Sequence, residues 1–254
     1  MAIDLVFVIL LIGHLIGDFY LQTNTIARKK NAFLKYFVLH IIIYTISMGI
    51  VLMIAIPYSK NLLYIWLSAS ILHLLVDSIK RFAKKYLKKS SIKTYLGNHS
   101  FIIDQLLHII ILIFIWYIWG SALEVNSFVG QDITGYPNKP IVIILCFLCI
   151  LRPVGILIGN GELWDFKKHN IQSISSIQNA GRMIGYLERT IVLFFLLYQQ
   201  FGAIAFILTA KSVARFKEIE NNKDMAEYYL IGTLLSVVSV IVLAFLFGLC
   251  GGKA

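Results

Sequence analysis

Residues 34–56 form an apolar run in which Lys35, at its start, and His40 are the only acidic or basic side chains. About 20 apolar residues carry a helix across the hydrocarbon core of a bilayer. Comparable runs recur at about 3–22, 34–56, 62–83, 101–123, 140–158, 181–198, 201–215 and 225–248. The seventh is short for a full crossing and reads as a half-helix or a tilted hairpin arm. Backbone groups in lipid must be satisfied within the chain, so runs like these predict helices. The expected fold is therefore all-α, a polytopic transmembrane helix bundle of about eight spans. Only 14% of the residues are charged, against about a quarter in a soluble domain.

The basic residues orient the spans. Arg28, Lys29, Lys30 and Lys35 lie around the first connection, and Lys80, Arg81, Lys84, Lys85, Lys88, Lys89 and Lys93 follow the third run. Lys167 and Lys168 follow the fifth, and Lys217 and Lys223 the seventh. The alternate connections hold Lys60 and Lys139, the latter near Glu124 and Asp132. Every second loop is thus basic, which places those loops in the cytoplasm and both termini outside, in a cell-membrane protein. The net charge of +10 is then matched to anionic lipid and not to nucleic acid. The first run has no basic leader and no small-residue cleavage site, and reads as a retained span.

A turn-rich connector at 125–139, expected outside, divides a four-span front half (1–124) from a four-span back half (140–254). The polar stretch 160–180, with Ser173, Ser175, Ser176 and Gln178, reads as a cytoplasmic or interfacial loop. Cys146, Cys149 and Cys250 are too few for a disulfide framework, and the C-x-x-C at 146–149 lies in an apolar run, where packing is the expected role.

The front half carries ionisable residues where lipid-facing helices do not tolerate them. His14 and Asp18 lie in the first run, His40 in the second, His73 and Asp77 in the third, Asp104 and His108 in the fourth. Each pair is spaced i, i+4, so both side chains lie on one helix face a turn apart. Runs one and three end where runs two and four begin, so all seven groups fall at one depth, in the cytoplasmic half, and can converge. A carboxylate in the membrane interior costs several kcal/mol unless paired. A divalent metal would neutralise Asp18, Asp77 and Asp104 and take imidazoles as further ligands. Oxygen and nitrogen donors without thiolate suit zinc, manganese or iron, with zinc or manganese foremost. Seven donors exceed one tetrahedral site, so two metals, or one metal with outer carboxylates, both fit. Proton relay and plain hydrogen bonding between helices are the competing readings of the same residues. His99 reads as a cap of the fourth span with Ser100, and His169, beside Lys167 and Lys168, as solvated.

The back half holds Arg152 before Pro153, Glu188 and Arg189 in the sixth run, and Lys211 and Arg215 in the seventh, all towards the cytoplasmic side. Arg182 and Arg215 can snorkel to headgroups, and Glu188 can pair with Lys211 or Arg189. Cations facing a metal cluster would suit a phosphate-bearing substrate, so Arg152, Glu188, Arg189, Lys211 and Arg215 are candidate substrate-binding residues.

GHLIGDFYLQT at 13–23, His40, HLLVD at 73–77 and FIIDQLLH at 101–108 resemble a family of bacterial integral membrane proteins defined as a domain of unknown function, family 3307. That domain covers about the first half of the chain. GRMIGYLERTIVL at 181–193 and AKSVARF at 210–216 look like the C-terminal module of its longer members. A looser likeness is to membrane-bound metal-dependent hydrolases, and through them to the helical zinc phospholipase C fold, in which His and Asp on helices bind zinc for phosphoester cleavage. This is a likeness of site style.

Three functions compete. The first is a membrane-embedded metal-dependent hydrolase of a lipid or isoprenoid phosphoester, in which metal activates water, an aspartate among Asp18, Asp77 and Asp104 acts as base, and the back-half cations hold phosphate. The second is a transporter or channel for protons or divalent metal that uses the same cluster. The third is a non-catalytic scaffold held together by its polar groups. The first and fourth runs are almost wholly apolar beyond the cluster, which favours a site open on one side and hence the enzyme.

Overall fold

The computed structural model describes residues 4–86, 100–130, 139–159, 180–214, 216–221 and 223–249. Among these the chain is helical without strands. His99, His169, Cys250, Arg215, most of the connector and the polar stretch 160–179 lie outside the described residues.

The chain divides into two compact units, residues 2–148 and residues 149–254. The first contains α1 (Leu5–Leu15), which continues through a π-helical turn (Ile16–Tyr20), then α2 (Asn24–Lys29), α3 (Leu34–Ala55), α4 (Lys60–Tyr86), α5 (Ser100–Trp119), the short α6 (Ser127–Gly130) and most of α7 (Lys139–Leu151). Polar residues end the apolar runs here. Asp4 accepts hydrogen bonds from the Val6 and Phe7 amides at the start of α1. Thr23 caps α2 through the Ile26 amide, and Ser59 caps α4 through that of Leu62. Asn126 closes the far end of α3, donating from Nδ2 to the Ile54 carbonyl and from its amide to that of Ala55.

Helices α1, α3, α4 and α5 form a closed four-helix bundle: α1 packs on α3, α3 on α4, α4 on α5, and α5 back on α1. Its interior has two layers. At one end Val6, Ile9 and Leu10 of α1 interlock with Met48 and Leu52 of α3, Leu62, Ile65 and Ala69 of α4, and Leu112 and Ile115 of α5. At the other end the interior is ionisable: His14, His40, His73, Asp77, Asp104 and His108 are all buried. The outward surface is apolar. Ile42, Ile46, Ile50 and Met53 of α3 and Leu67, Ile71, Leu75 and Ile79 of α4 are exposed at helical spacing. A polar interior inside an apolar coat is stable only in lipid. The protein is a polytopic membrane protein.

Close approach of α1 and α3 depends on two glycines a turn apart, the small-x-x-x-small arrangement that lets membrane helices touch. A Cβ on Gly13 would meet Met48 Sδ at 2.6 Å, and one on Gly17 would meet Ser47 Oγ at 2.7 Å and Tyr44 Cδ2 at 2.9 Å.

Five helices among the described residues are long and apolar enough to cross a membrane: Leu34–Ala55, Lys60–Ala83, Phe101–Trp119, Pro140–Gly159 and Tyr229–Leu246. The apolar helices Leu5–Tyr20 and Phe201–Ala214 are shorter. Leu5–Tyr20, at about 1.5 Å per residue, rises roughly 24 Å, short of a hydrocarbon core of about 30 Å. The sixth expected span is helical (Ala180–Leu197) but carries Arg182, Glu188 and Arg189.

The second unit contains α8 (Pro153–Gly159), α9 (Ala180–Leu197), α10 (Phe201–Ala214), α11 (Phe216–Asn221) and α12 (Lys223–Leu246). Helix α9 packs on α8, α10 and α12, and α11 folds against α12. Cys146 is buried and Cys149 half-buried.

Candidate metal centre

The three i, i+4 pairs, with His40 from a fourth helix, bring their side chains to one end of the bundle. Asp18 lies on the π-helical turn, a distortion common at functional sites. Its Oδ1 is 3.2 Å from His40 Nε2 and 3.8 Å from His73 Nε2. His40 Nε2 is also 3.2 Å from His73 Nε2 and 3.1 Å from Asp77 Oδ2. Asp77 Oδ2 stands 4.0 Å from His73 Nε2.

These four atoms come from three helices, and each carboxylate oxygen faces both imidazole nitrogens. Ligand atoms about 2.1 Å from a tetrahedral metal lie about 3.4 Å apart. The separations of 3.1 to 4.0 Å bracket that value. The residues therefore fit a divalent cation. Asp18 Oδ1 and the Nδ1 atoms of His14, His40 and His73 are buried without a hydrogen-bond partner. Such atoms are costly to bury, and a cation would give the carboxylate oxygen its missing partner. A second grouping, His73, Asp77 and His108, also lies within ligand distance. The first grouping within mutual ligand distance is Asp18, His40 and His73, so the two share His73 and are alternative placements around that imidazole.

The remaining expected ligands have other partners. His108 Nδ1 donates to the Asp104 carbonyl at 2.8 Å, and its buried Nε2 has no hydrogen-bond partner. His14 Nε2 lies 3.3 Å from Gln105 Oε1, and the Gln105 amide reaches Asp18 Oδ2 at 3.4 Å. The His14 and His108 rings stack with centroids 5.3 Å apart, and Tyr44 stacks nearly parallel on His73 at 3.5 Å. All seven residues thus gather in one layer, with Asp18, His40, His73 and Asp77 at its centre.

Two cations complete the layer. The Lys30 ammonium donates to Asp77 Oδ2 at 2.9 Å, lies 3.0 Å from His40 Nε2, and approaches Gln22 Oε1 at 3.4 Å. Lys80 is bonded to Asp104 Oδ2. Lys30 follows α2, outside the spans, and reaches back into the bundle. Burial opposes its charge, but the Asp18 and Asp77 carboxylates outweigh that and hold it above the usual lysine range. In the sequence Lys30 and Lys80 read only as orienting loop charges, and Gln105, Tyr44 and Gln22 carry no signal of the site. Three buried carboxylates beside lysines at span ends are the signal that could have found both lysines.

The second unit holds the other candidates in two groups. Glu188 pairs with Lys211 at 2.7 Å, and Lys211 also donates to Thr233 Oγ1 at 2.9 Å and lies over the Tyr229 ring. Arg189 is buried; its Nε donates to the Ile150 carbonyl at 2.5 Å, with Nη2 at 3.4 Å from that of Leu151 and Nη1 at 3.5 Å from Ser236 Oγ. Those carbonyls lie at the break between α7 and α8, where Arg152 separates the two helices and Pro153, lacking an N–H, starts the second. Glycine makes room for the guanidinium, since a Cβ on Gly155 would come within 3.1 Å of Arg189 Nη2 and one on Gly185 within 3.2 Å of Nη1.

Fold and site together define a helical membrane protein with a His/Asp cluster inside its first bundle. The family described as Protein of unknown function (DUF3307) matches residues 6–133, half of the chain, and the chain belongs to that family. The match contains all seven His and Asp residues of the layer. No curated protein and no solved structure matches the chain.

Proposed function

We propose that the protein is a membrane-embedded metal-dependent hydrolase acting on a lipid or isoprenoid phosphoester at the cytoplasmic side of the membrane. The observation that carries this reading is the quartet Asp18 Oδ1, His40 Nε2, His73 Nε2 and Asp77 Oδ2, in which Asp18, His40 and His73 lie within ligand distance of one another and Asp77 stands 3.1 Å from His40 Nε2 and 4.0 Å from His73 Nε2. In this reading the quartet holds a divalent metal, zinc or manganese, which supplies a water of lowered pKa and charge stabilisation at phosphoryl oxygens. Asp104, outside the quartet and bonded to Lys80, is the carboxylate left for proton transfer. Tyr44 fixes the His73 ring by stacking, and Gln105 joins His14 to Asp18. Anion binding is assigned, on charge alone, to Arg152, Arg189, Lys211 and Arg215, with Glu188 as the partner of Lys211.

The apolar layer supports chemistry over passage. Ile9, Leu10, Met48, Leu52 and Ile65 fill the bundle beyond the cluster and are fully buried. A cation or proton moving through the bundle would have to cross that layer. Transport of protons or divalent metal is the second reading, and the ammonium of Lys30 beside His40 and Asp77 is the observation in its favour. The basic loops orient the cluster towards the cytoplasm with both termini outside.

Elemental analysis of purified protein is the first test, with about one divalent ion per chain expected and less in His73→Ala and Asp77→Ala. Metal-loaded protein is then incubated with a panel of lipid and isoprenyl phosphoesters, and phosphate or headgroup release is followed. Metal-dependent release supports the hydrolase. Bound metal with no release across the panel, together with metal or proton flux in liposomes, moves the assignment to the transporter.

A further inference from the structure

Lys30 contacts two of the four atoms that would hold the metal. Its ammonium has three N–H donors and no acceptor, so its 3.0 Å contact with His40 Nε2 is a hydrogen bond only when that nitrogen offers its lone pair. An imidazole nitrogen has one lone pair, and coordination to a metal uses the same one. Asp77 Oδ2, the other acceptor of Lys30 at 2.9 Å, is likewise in the quartet. An ammonium and a divalent cation in one buried pocket would also repel strongly. Lys30 and the metal therefore exclude each other at His40.

The position of Lys30 suits a group that can leave. It is the residue after α2, a helix of 6 residues in which Ile26 is the buried side chain, and it is borne outside the spans on a long, flexible stem. Lys80, by contrast, is bonded to Asp104, outside the quartet.

We propose that Lys30 is a built-in competitor for the metal, a tethered cation that occupies the Asp77–His40 side of the site and is expelled when a divalent ion enters. The proposal rests on the metal-centre reading above. Lys30 keeps the bundle neutralised and folded when no metal is bound, and it sets the metal concentration at which the site fills.

Two measurements on the full-length protein in detergent test this, with zinc as the probe. The first is zinc affinity, by competition with a chromophoric chelator, for wild type, Lys30→Met and Lys80→Met. Removing Lys30 should tighten zinc binding about ten- to a hundredfold, the range of a charge-assisted hydrogen bond, while Lys80→Met changes it much less. The second uses the wild type alone and does not depend on a variant folding. Lys30 is 8% exposed, so an amine-reactive acylating reagent should modify it slowly without zinc and several-fold faster with zinc, as read by peptide mass spectrometry. Zinc that binds through His40 and Asp77, with unchanged Lys30 reactivity or with no tightening in a folded Lys30→Met, overturns the competition and leaves the metal centre standing. If neither wild type nor Lys30→Met binds zinc, the metal-centre reading falls and the competition with it.

Discussion

The glycine seam between α1 and α3 makes a graded prediction. Gly13 and Gly17 both face α3, but an added methyl meets different obstacles. At Gly13 it would meet Met48 Sδ at 2.6 Å and Cε at 3.4 Å, the end of a flexible side chain, with the Met48 Cα at 3.6 Å. At Gly17 it would meet Ser47 Oγ at 2.7 Å, Tyr44 Cδ2 at 2.9 Å and the Tyr44 Cα at 3.2 Å. Methionine can change rotamer. The Tyr44 ring cannot easily retreat, because it stacks on His73 with centroids 3.5 Å apart.

Alanine gains about 1 kcal/mol over glycine in a regular helix interior, while forcing a methyl into a packed interface costs about 1–3 kcal/mol. For Gly13→Ala the two nearly cancel, and stability should stay within about 1 kcal/mol of wild type. For Gly17→Ala the clash wins. Gly17 lies on the π-helical turn, where the helical gain is smaller, so a net loss of about 1–2 kcal/mol is expected. Because the displaced ring is the one that fixes His73, Gly17→Ala should also weaken zinc binding, which Gly13→Ala should not. Equilibrium unfolding in mixed detergent micelles, with chelator titrations on the same samples, reads both. A Gly17→Ala protein as stable as Gly13→Ala, with unchanged zinc affinity, would refute the reasoning.

Three further outcomes are expected. Asp77→Asn should destabilise the metal-free protein by about 3 kcal/mol, since it strips the buried Lys30 ammonium of its carboxylate. Asp104→Asn should cost about 1 kcal/mol, because Lys80, more exposed than Lys30, can turn to water; unfolding midpoints compare the two. Arg189→Leu should lower stability by about 2–4 kcal/mol by leaving the Ile150 and Leu151 carbonyls unpaired, and Gly155→Ala by less; thermal melts rank them, and the reverse order would contradict the capping role. In a cysteine-free background, Tyr58→Cys should react with an impermeant thiol reagent in intact cells and Ser90→Cys only after permeabilisation; the opposite pattern reverses the orientation.

Much of the first unit was legible because two periodicities coincide in it. Long apolar runs announced helices, and the i, i+4 spacing of His14 with Asp18, His73 with Asp77, and Asp104 with His108 announced one polar face on each of three of them. Alternating direction then put those faces at one depth, and the bundle closes around them. The π-helical turn at Asp18 was not legible, since a one-residue insertion in the hydrogen-bond ladder leaves no mark in composition. The role of Lys30 is hidden for a different reason. Positive charge at span ends is expected for orientation, so nothing in its position separates a lysine that stays in water from one that reaches back to Asp77. In the second unit the sequence marked Arg189 as a buried charge, and the structure supplies partners that could not be read from it. The arginine caps carbonyls freed by a helix break around Arg152 and Pro153.

The charges in the layer also constrain the order of events. Asp18, Asp77 and Asp104 carry three negative charges against the two ammoniums of Lys30 and Lys80. With neutral imidazoles the pocket has an excess of one negative charge, and an anionic phosphoester would be repelled from it. A divalent cation cancels that excess if Lys30 leaves as it enters, and reverses the sign if Lys30 stays. On the proposed hydrolase reading, metal must bind before the substrate, and substrate affinity must vanish when metal is withheld. If Lys30 is expelled as the metal enters, its ammonium stays tethered beside the site, where it adds to the attraction for phosphate. Binding of a non-hydrolysable phosphonate lipid analogue should therefore require metal in wild type. In Lys30→Met it should weaken even though the metal is held more tightly. A phosphonate that binds metal-free protein as well as the loaded form would show that the anion site lies elsewhere in the chain and owes nothing to the cluster.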